Sequence, residues 1–246
     1  MGQEITVTGI ILSSGPVRDY DKRIVMLTKE RGRISIFATG ARKVNSPLHG
    51  MCEPFSFGQF TLYEGRNSYS LQGGKVENYF HKLKQDLELI YYGSYFCEFA
   101  SYLTRENNDE ILIMKLLYQS LRALELGTIP VSLIRSIFEI KILAFHGYAM
   151  ESFQCIRCGK KEDLTCFQSE AGGVLCSECG KKEKSMVLAE STLYTIQYIM
   201  SMPIEKLYTF RVSAPVMRQL KDICKAFMDI YVEYSFKSLE FIDLKY

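Results

Sequence analysis

The sequence predicts an α+β protein: a small antiparallel β-barrel followed by an all-helical domain with a cysteine-rich insertion. Three observations predict it. Hydrophobic residues follow a strand pattern up to about residue 80 and a helical period beyond it, while residues 152–184 follow neither and carry two Cys-x2-Cys pairs. The expected organisation is a barrel domain at 1–80 and a helical domain at 81–246, with the insertion at 152–184.

Residues 5–12, 23–28, 33–39, 59–64 and 68–76 are rich in β-branched and aromatic side chains and are broken by Gly, Asn and Pro, which predicts five short strands. Arg31-Gly32 and Gly65-Arg66-Asn67 fall where hairpin turns are needed. Five such strands in so short a stretch suit a closed barrel. Beyond residue 80, apolar residues recur at three and four in 86–103, 109–126, 130–145, 190–202 and 215–236, the spacing of amphipathic helices. Pro130 and Pro215 suit first-turn positions, and Gly127 and Gly147 suit helix ends. The segment from Pro130 is apolar nearly all round apart from Arg135, Glu139 and Lys141, which predicts the buried centre of a bundle.

Of 246 residues, 47% are hydrophobic and 24% charged, and Trp is absent. That balance excludes disorder as the main state. The longest charge-free stretch, 191–204, falls short of the ~20 apolar residues a bilayer span needs, and the first residues lack the basic and apolar regions of a secretory signal. A cytoplasmic protein is expected, and with it free or metal-bound thiols rather than disulfides for the 8 Cys. The net charge of +2 is unevenly spread. Residues 17–43 hold eight basic side chains and three acidic ones, a local +5.

The most specific motif is Cys155-Ile156-Arg157-Cys158-Gly159 with Cys176-Ser177-Glu178-Cys179-Gly180, two Cys-x2-Cys turns separated by seventeen residues. This spacing suits a four-thiolate zinc site, against which stand two local disulfides or a redox pair. Four thiolates fill every coordination position, so a Zn2+ held by Cys155, Cys158, Cys176 and Cys179 is expected to be structural, one per chain. Gly after each second Cys permits a positive φ that turns backbone N–H groups toward sulfur. Cys166, Cys52, Cys97 and Cys224 sit among apolar residues and are expected in the core.

The basic run is the second signal. On the strand at 33–39, alternation puts Ile34, Ile36 and Ala38 on one face and Arg33, Ser35 and Phe37 on the other. A ring among guanidinium groups is what single-stranded nucleic acid needs: cations for phosphates and an aromatic face for a base. Lys22, Arg23, Arg31, Arg33, Phe37, Arg42 and Lys43 are the expected nucleic-acid-binding residues, and the competing expectation for such a face is plain solvation. No phosphate-binding loop, dinucleotide fingerprint, serine-nucleophile elbow or metallohydrolase helix occurs, and His49, His81 and His146 belong to no recognisable catalytic group. The protein is expected not to be an enzyme.

Gly9-Ile10-Ile11-Leu12 with Arg18-Asp19-Tyr20, Ile24-Val25-Met26-Leu27-Thr28 with Gly32, and Ala38-Thr39-Gly40-Ala41-Arg42-Lys43 with Ser46 follow one another in a familiar order. Phe138-Glu139-Ile140-Lys141-Ile142-Leu143, His146-Gly147-Tyr148 and the four-cysteine segment complete it. In these the whole chain resembles the bacterial RecO family of DNA repair proteins, the recombination mediators of the RecF pathway. One departure is Tyr20-Asp21-Lys22, where many relatives have Tyr-Gly-Glu. The resemblance implies an N-terminal OB-fold barrel, a helical domain with an inserted zinc finger, and binding of single- and double-stranded DNA. It also implies annealing of strands coated with single-stranded-DNA-binding protein and, with RecR, help in loading RecA, without ATP. The tail of the single-stranded-DNA-binding protein would dock on the helical domain, where Arg135, Lys141 and Lys221 are the candidate contacts. The competing function is a zinc-ribbon interaction scaffold that does not bind DNA directly.

Overall fold

The computed structural model describes residues 2–243. Strands β1 (Gln3–Pro16), β2 (Lys22–Thr28), β3 (Gly32–Ala38), β4 (Phe57–Glu64) and β5 (Tyr69–Asn78) close into a barrel in the order β1-β2-β3-β5-β4. β1 completes the circle by pairing antiparallel with both β2 and β4, and β3 meets β5 in parallel. This is the five-stranded Greek-key order of an OB fold. Alternation turns Val7, Ile24, Met26, Ile34, Ile36, Phe60 and Leu62 inward, and Leu48 and Cys52 from the β3–β4 connection pack against them.

β1 departs from simple alternation. Ile10, Ile11 and Leu12 are all buried because the register with β2 shifts between Ile11 and Ser13, a bulge that adds one residue to β1. Ile11 belongs to the barrel core, whereas Ile10 and its cross-strand partner Leu27 lie outside it and are still fully buried. Their cover comes from helices α1 (Leu87–Leu103) and α2 (Ile111–Leu126), which pack on β1 and β2. Asp86 starts α1 by accepting hydrogen bonds from the Glu88 and Leu89 backbone N–H groups at 2.8 and 3.3 Å.

The β2–β3 turn is fixed to the α1–α2 connection by backbone. Arg33 N–H donates to Arg105 O at 3.0 Å and Asn107 N–H donates to Arg31 O at 2.9 Å. Gly32, at φ +64°, lies between them, and a Cβ there would stand 2.3 Å from Arg105 O. No other residue fits without moving the backbone.

The chain after residue 126 continues with α3 (Val131–Phe145), then β6 (Leu164–Gln168), β7 (Gly173–Cys176), the single turn α4 (Ser177–Gly180) and β8 (Met186–Val187). Helices α5 (Glu190–Ser201), α6 (Ala214–Tyr231) and α7 (Lys237–Asp243) follow. α3 is the buried helix expected from its sequence, with Leu133 through Leu143 nearly all enclosed. Lys141 solves the problem of burying a cation there: its Nζ donates to Ile199 O, Met200 O and Met202 O at 2.9, 2.8 and 3.1 Å, closing the C-terminal end of α5. Burial lowers the pKa of that amine, and the three carbonyls use all of its donors.

Two compact units result, one holding the chain up to Leu126 together with the segment from Phe236, the other holding Gly127–Ser235. The switch from strands to helices near residue 80 therefore lies inside the first unit, because the outer face of β1 and β2 is apolar and takes α1 and α2 as its cover. The helix expected over 215–236 ends at Tyr231, with Val232 extended. Phe236 is held among Tyr95, Phe99 and Tyr102, while Glu98 accepts from the Lys237 and Ser238 N–H groups and thereby starts α7.

Two predictions follow from this packing. A chain ending at residue 80 uncovers Ile10 and Leu27 at roughly 1.5–3 kcal/mol each, so urea titration should show it unfolding well below the full chain or not folding. Gly32→Ala in the full chain should cost about 1–3 kcal/mol by the same measurement, through φ strain and the clash with Arg105 O.

Candidate nucleic-acid interface and metal centre

The seven residues expected on the DNA-binding face divide into groups. Arg23 and Phe37 are direct cross-strand partners near one end of the β2–β3 hairpin, and Arg23 Nε donates to Ser35 Oγ at 2.8 Å. Phe37 is 41% exposed. The connections at that end are stitched together: Arg42 N–H donates to Tyr20 O at 2.9 Å, Arg42 Nη1 donates to Arg18 O and Asp19 O at 3.3 and 3.2 Å, and Gly40 N–H donates to Asp21 Oδ1 at 2.8 Å. Lys43 Nζ stands 5.9 Å from the centre of the exposed Tyr20 ring. Arg23, Phe37, Arg42 and Lys43 thus share one rim of the barrel with solvent-facing charge.

The other three are drawn into contacts. Lys22 Nζ pairs with Glu53 at 2.7 Å and is largely covered. Arg31 and Arg33 sit at the opposite end of the hairpin, next to the turn at Gly32. Arg31 pairs with Glu64 at 3.3 Å, and the hydrogen bond it donates to that carboxylate raises the guanidinium pKa. Arg33 Nε donates to Thr104 O at 3.0 Å, and burial, with Arg105 beside it, lowers its pKa. Tyr69 completes that end by donating toward Glu64 and Glu106 at 3.2 and 3.1 Å; burial first, then the two carboxylates, push its pKa up to about 12. The departure at Asp21-Lys22 is accommodated, since Asp21 accepts from Gly40 and Lys22 pairs with Glu53. Sequence reasoning did not single out Tyr20, which the structure leaves exposed; an aromatic residue within the basic run, two residues after Arg18 and two before Lys22, was the available signal.

The four cysteines meet as their spacing required. Sγ atoms of Cys155, Cys158, Cys176 and Cys179 all lie within 4.8 Å of one another, and those of Cys158 and Cys176 are 3.8 Å apart. A tetrahedral ion at about 2.3 Å from each sulfur separates the sulfurs by about 3.8 Å, so the donor set fits a metal. Burial opposes ionisation of Cys155, but backbone N–H groups of Cys176, Cys158 and Arg157 outweigh it and hold that thiol down to about 6. Cys179 is pushed up to about 12, first by its hydrogen bond with Cys176. Four thiols this close cannot all ionise without a cation among them.

Gly159 takes the expected positive φ, +74°. Gly180 does not, and its smallness serves another purpose: a Cβ there would meet Cys166 Sγ at 2.5 Å. Cys166 is buried beneath the second knuckle and stands outside the four-sulfur cluster, as expected. The segment is also less loop-like than its composition predicts. β6 pairs with β7 and β8, and Leu164, Phe167, Val174 and Leu175 give it a small core. Among the described residues no helix is long and apolar enough to cross a membrane.

A closed five-stranded OB barrel, a run of helices and a four-cysteine cluster define the class: an OB-fold protein with a helical part that carries a candidate metal centre. The particular family follows from comparison: the model for "Recombination protein O N terminal" matches residues 1–80 and that for "Recombination protein O C terminal" matches 84–240. The chain belongs to the RecO family. It is similar to the DNA repair protein RecO of Desulforamulus reducens, 28% identical over 96% of this chain and 93% of that one. The RecO proteins of Thermoanaerobacter sp. and Bacillus pumilus are also 28% identical, over 95% and 96% of this chain and 95% and 92% of theirs. Family membership supports a role in DNA repair and recombination.

Cys155→Ser with Cys176→Ser should abolish binding of one equivalent of metal, read by elemental analysis, and lower the midpoint of thermal unfolding. Because the thiols must lose protons to bind, the wild-type chain should release its metal as pH falls, and a metal-free wild type of unchanged stability would refute the centre.

Proposed function

We propose that this chain is a non-enzymatic recombination mediator. It binds single- and double-stranded DNA on its barrel, anneals complementary strands coated with single-stranded-DNA-binding protein and, with RecR, promotes RecA loading. The observation that carries the reading is the rim where Arg23 and exposed Phe37 are cross-strand partners and Arg42 and Lys43 stand beside Tyr20. Phosphates pair with Arg23, Arg42 and Lys43, and Phe37 stacks a base, a contact worth about 1–3 kcal/mol. Lys22, Arg31 and Arg33 contribute their field, since their side chains are already engaged. Two strands held on one cationic surface repel each other less, which speeds pairing without nucleotide hydrolysis.

The metal is a single structural Zn2+ on Cys155, Cys158, Cys176 and Cys179, supported by the all-sulfur donor set that leaves no position for water. The protein works in the cytoplasm at the nucleoid. The tail of the single-stranded-DNA-binding protein docks on the helical part. Arg135, paired with Glu139 at 2.8 Å, and Lys141, spent on three carbonyls, are poor contacts for it.

The test is the annealing rate of complementary oligonucleotides precoated with the cognate single-stranded-DNA-binding protein, without nucleotide, across a salt series. Acceleration that fades with salt is expected. On single strands, three or four phosphate contacts give a log–log salt slope of about −2 to −3. Arg23→Glu with Arg42→Glu should make that slope shallower by about 1.4 and weaken binding at low salt; an unchanged slope and affinity would remove the rim from the mechanism.

A further inference from the structure

β3 and β5 are joined by only two residue pairs, Ile36 with Tyr69 and Phe37 with Ser70. Past Phe37 the chain leaves the ladder and turns back on itself, with Ala41 N–H donating to Ala38 O, Lys43 to Gly40 O and Ser46 to Lys43 O. β5 meanwhile continues alongside β4 alone. The strands part, and a cavity of about 460 Å³ opens between them. Thr39, Gly40, Lys43 and Asn45 contribute one part of its lining and Ser70 and Gln72 the other. The buried Leu48 and Leu71 supply apolar surface.

We infer that this cavity receives one unstacked nucleobase from a strand whose phosphates lie on the adjoining rim. The inference rests on the strand-binding function proposed above and names a subsite for it. Its volume lies within the ~300–1,000 Å³ of small-ligand sites. Leucine side chains suit the flat face of a base. The Asn45 and Gln72 amides have no hydrogen-bond partner among the described residues, and each offers donors and an acceptor, the combination that reads a base edge. Lys43 belongs both to the lining and to the cationic rim, so a phosphate held there places its own nucleotide at the opening. Phe37 is in register with Ser70 of the lining, which puts a stacking surface next to the entrance. A bare phosphate would leave the amides and leucines unused. A peptide strand would be drawn to the backbone edges instead.

The experiment compares full-length wild type with Asn45→Ala/Gln72→Ala, both exposed positions, by fluorescence anisotropy on a single-stranded oligonucleotide and a series of it with one abasic site moved along the strand. Wild type should lose affinity roughly tenfold at one abasic position or a narrow set of them. The variant should bind the intact strand more weakly by a similar factor, lose little more at those abasic sites and keep the wild-type salt slope. Equal abasic penalties in both proteins, with salt-dependent binding intact, would overturn the pocket and leave the rim standing. Absence of salt-dependent binding by wild type would overturn the strand-binding function and the pocket with it. A base requirement abolished by Phe37→Ala but untouched by the double variant would assign the base to stacking outside the cavity and overturn the inference as well.

Discussion

The hydrogen bonds that join residues 31–33 to 105–107 govern how this protein presents its charge. They fix one end of the β2–β3 hairpin against the α1–α2 connection and require Gly32 at the point of closest approach. Around that join, Arg31, Arg33, Tyr69, Glu64 and Glu106 form a polar cluster that serves the fold. The hairpin therefore has a structural end and a free end. Of the basic residues in 17–43, Arg18, Arg23, Arg42 and Lys43 meet solvent at the free end with no carboxylate partner among the described residues, next to Phe37 and Tyr20.

The same division of labour recurs in the other unit. Lys141 and Glu139 are charged residues within a buried helix, and each has a partner that accounts for its presence: three carbonyls for the amine and Arg135 for the carboxylate. A buried charge left alone would cost several kcal/mol, so these residues are commitments of the fold. The four-cysteine module is held in a comparable way. Backbone N–H groups favour the Cys155 thiolate before any ion arrives, and a small three-stranded sheet supports the turns that bear the sulfurs.

Much of this was legible from residue order. Strand alternation in 33–39 gave the inward and outward faces correctly, and two Cys-x2-Cys turns gave the four cysteines that meet in one cluster, because both patterns are local. What escaped was set by partners distant in sequence. Nothing near Arg33 announces that Thr104 O will take its guanidinium, and nothing near Ile10 announces that its face of the barrel will be covered by α1 and α2. The end of α6 was missed because the apolar period runs on toward Phe236, whose place is set by Tyr95, Phe99 and Tyr102. Gly180 shows a right residue with a wrong reason: its room is needed by the Cys166 sulfur from strand β6, not by its own φ.

The junction of β3 with β5 is the shortest ladder in the barrel, two pairs against seven or eight in its neighbours. A closed barrel opens most cheaply where the fewest hydrogen bonds must break together. Backbone amides along that seam should exchange with solvent ahead of those between β1 and β4, and the barrel can change its girth there while its other four ladders stay intact. Its elasticity is thereby concentrated beside the rim that carries Arg23, Arg42 and Lys43.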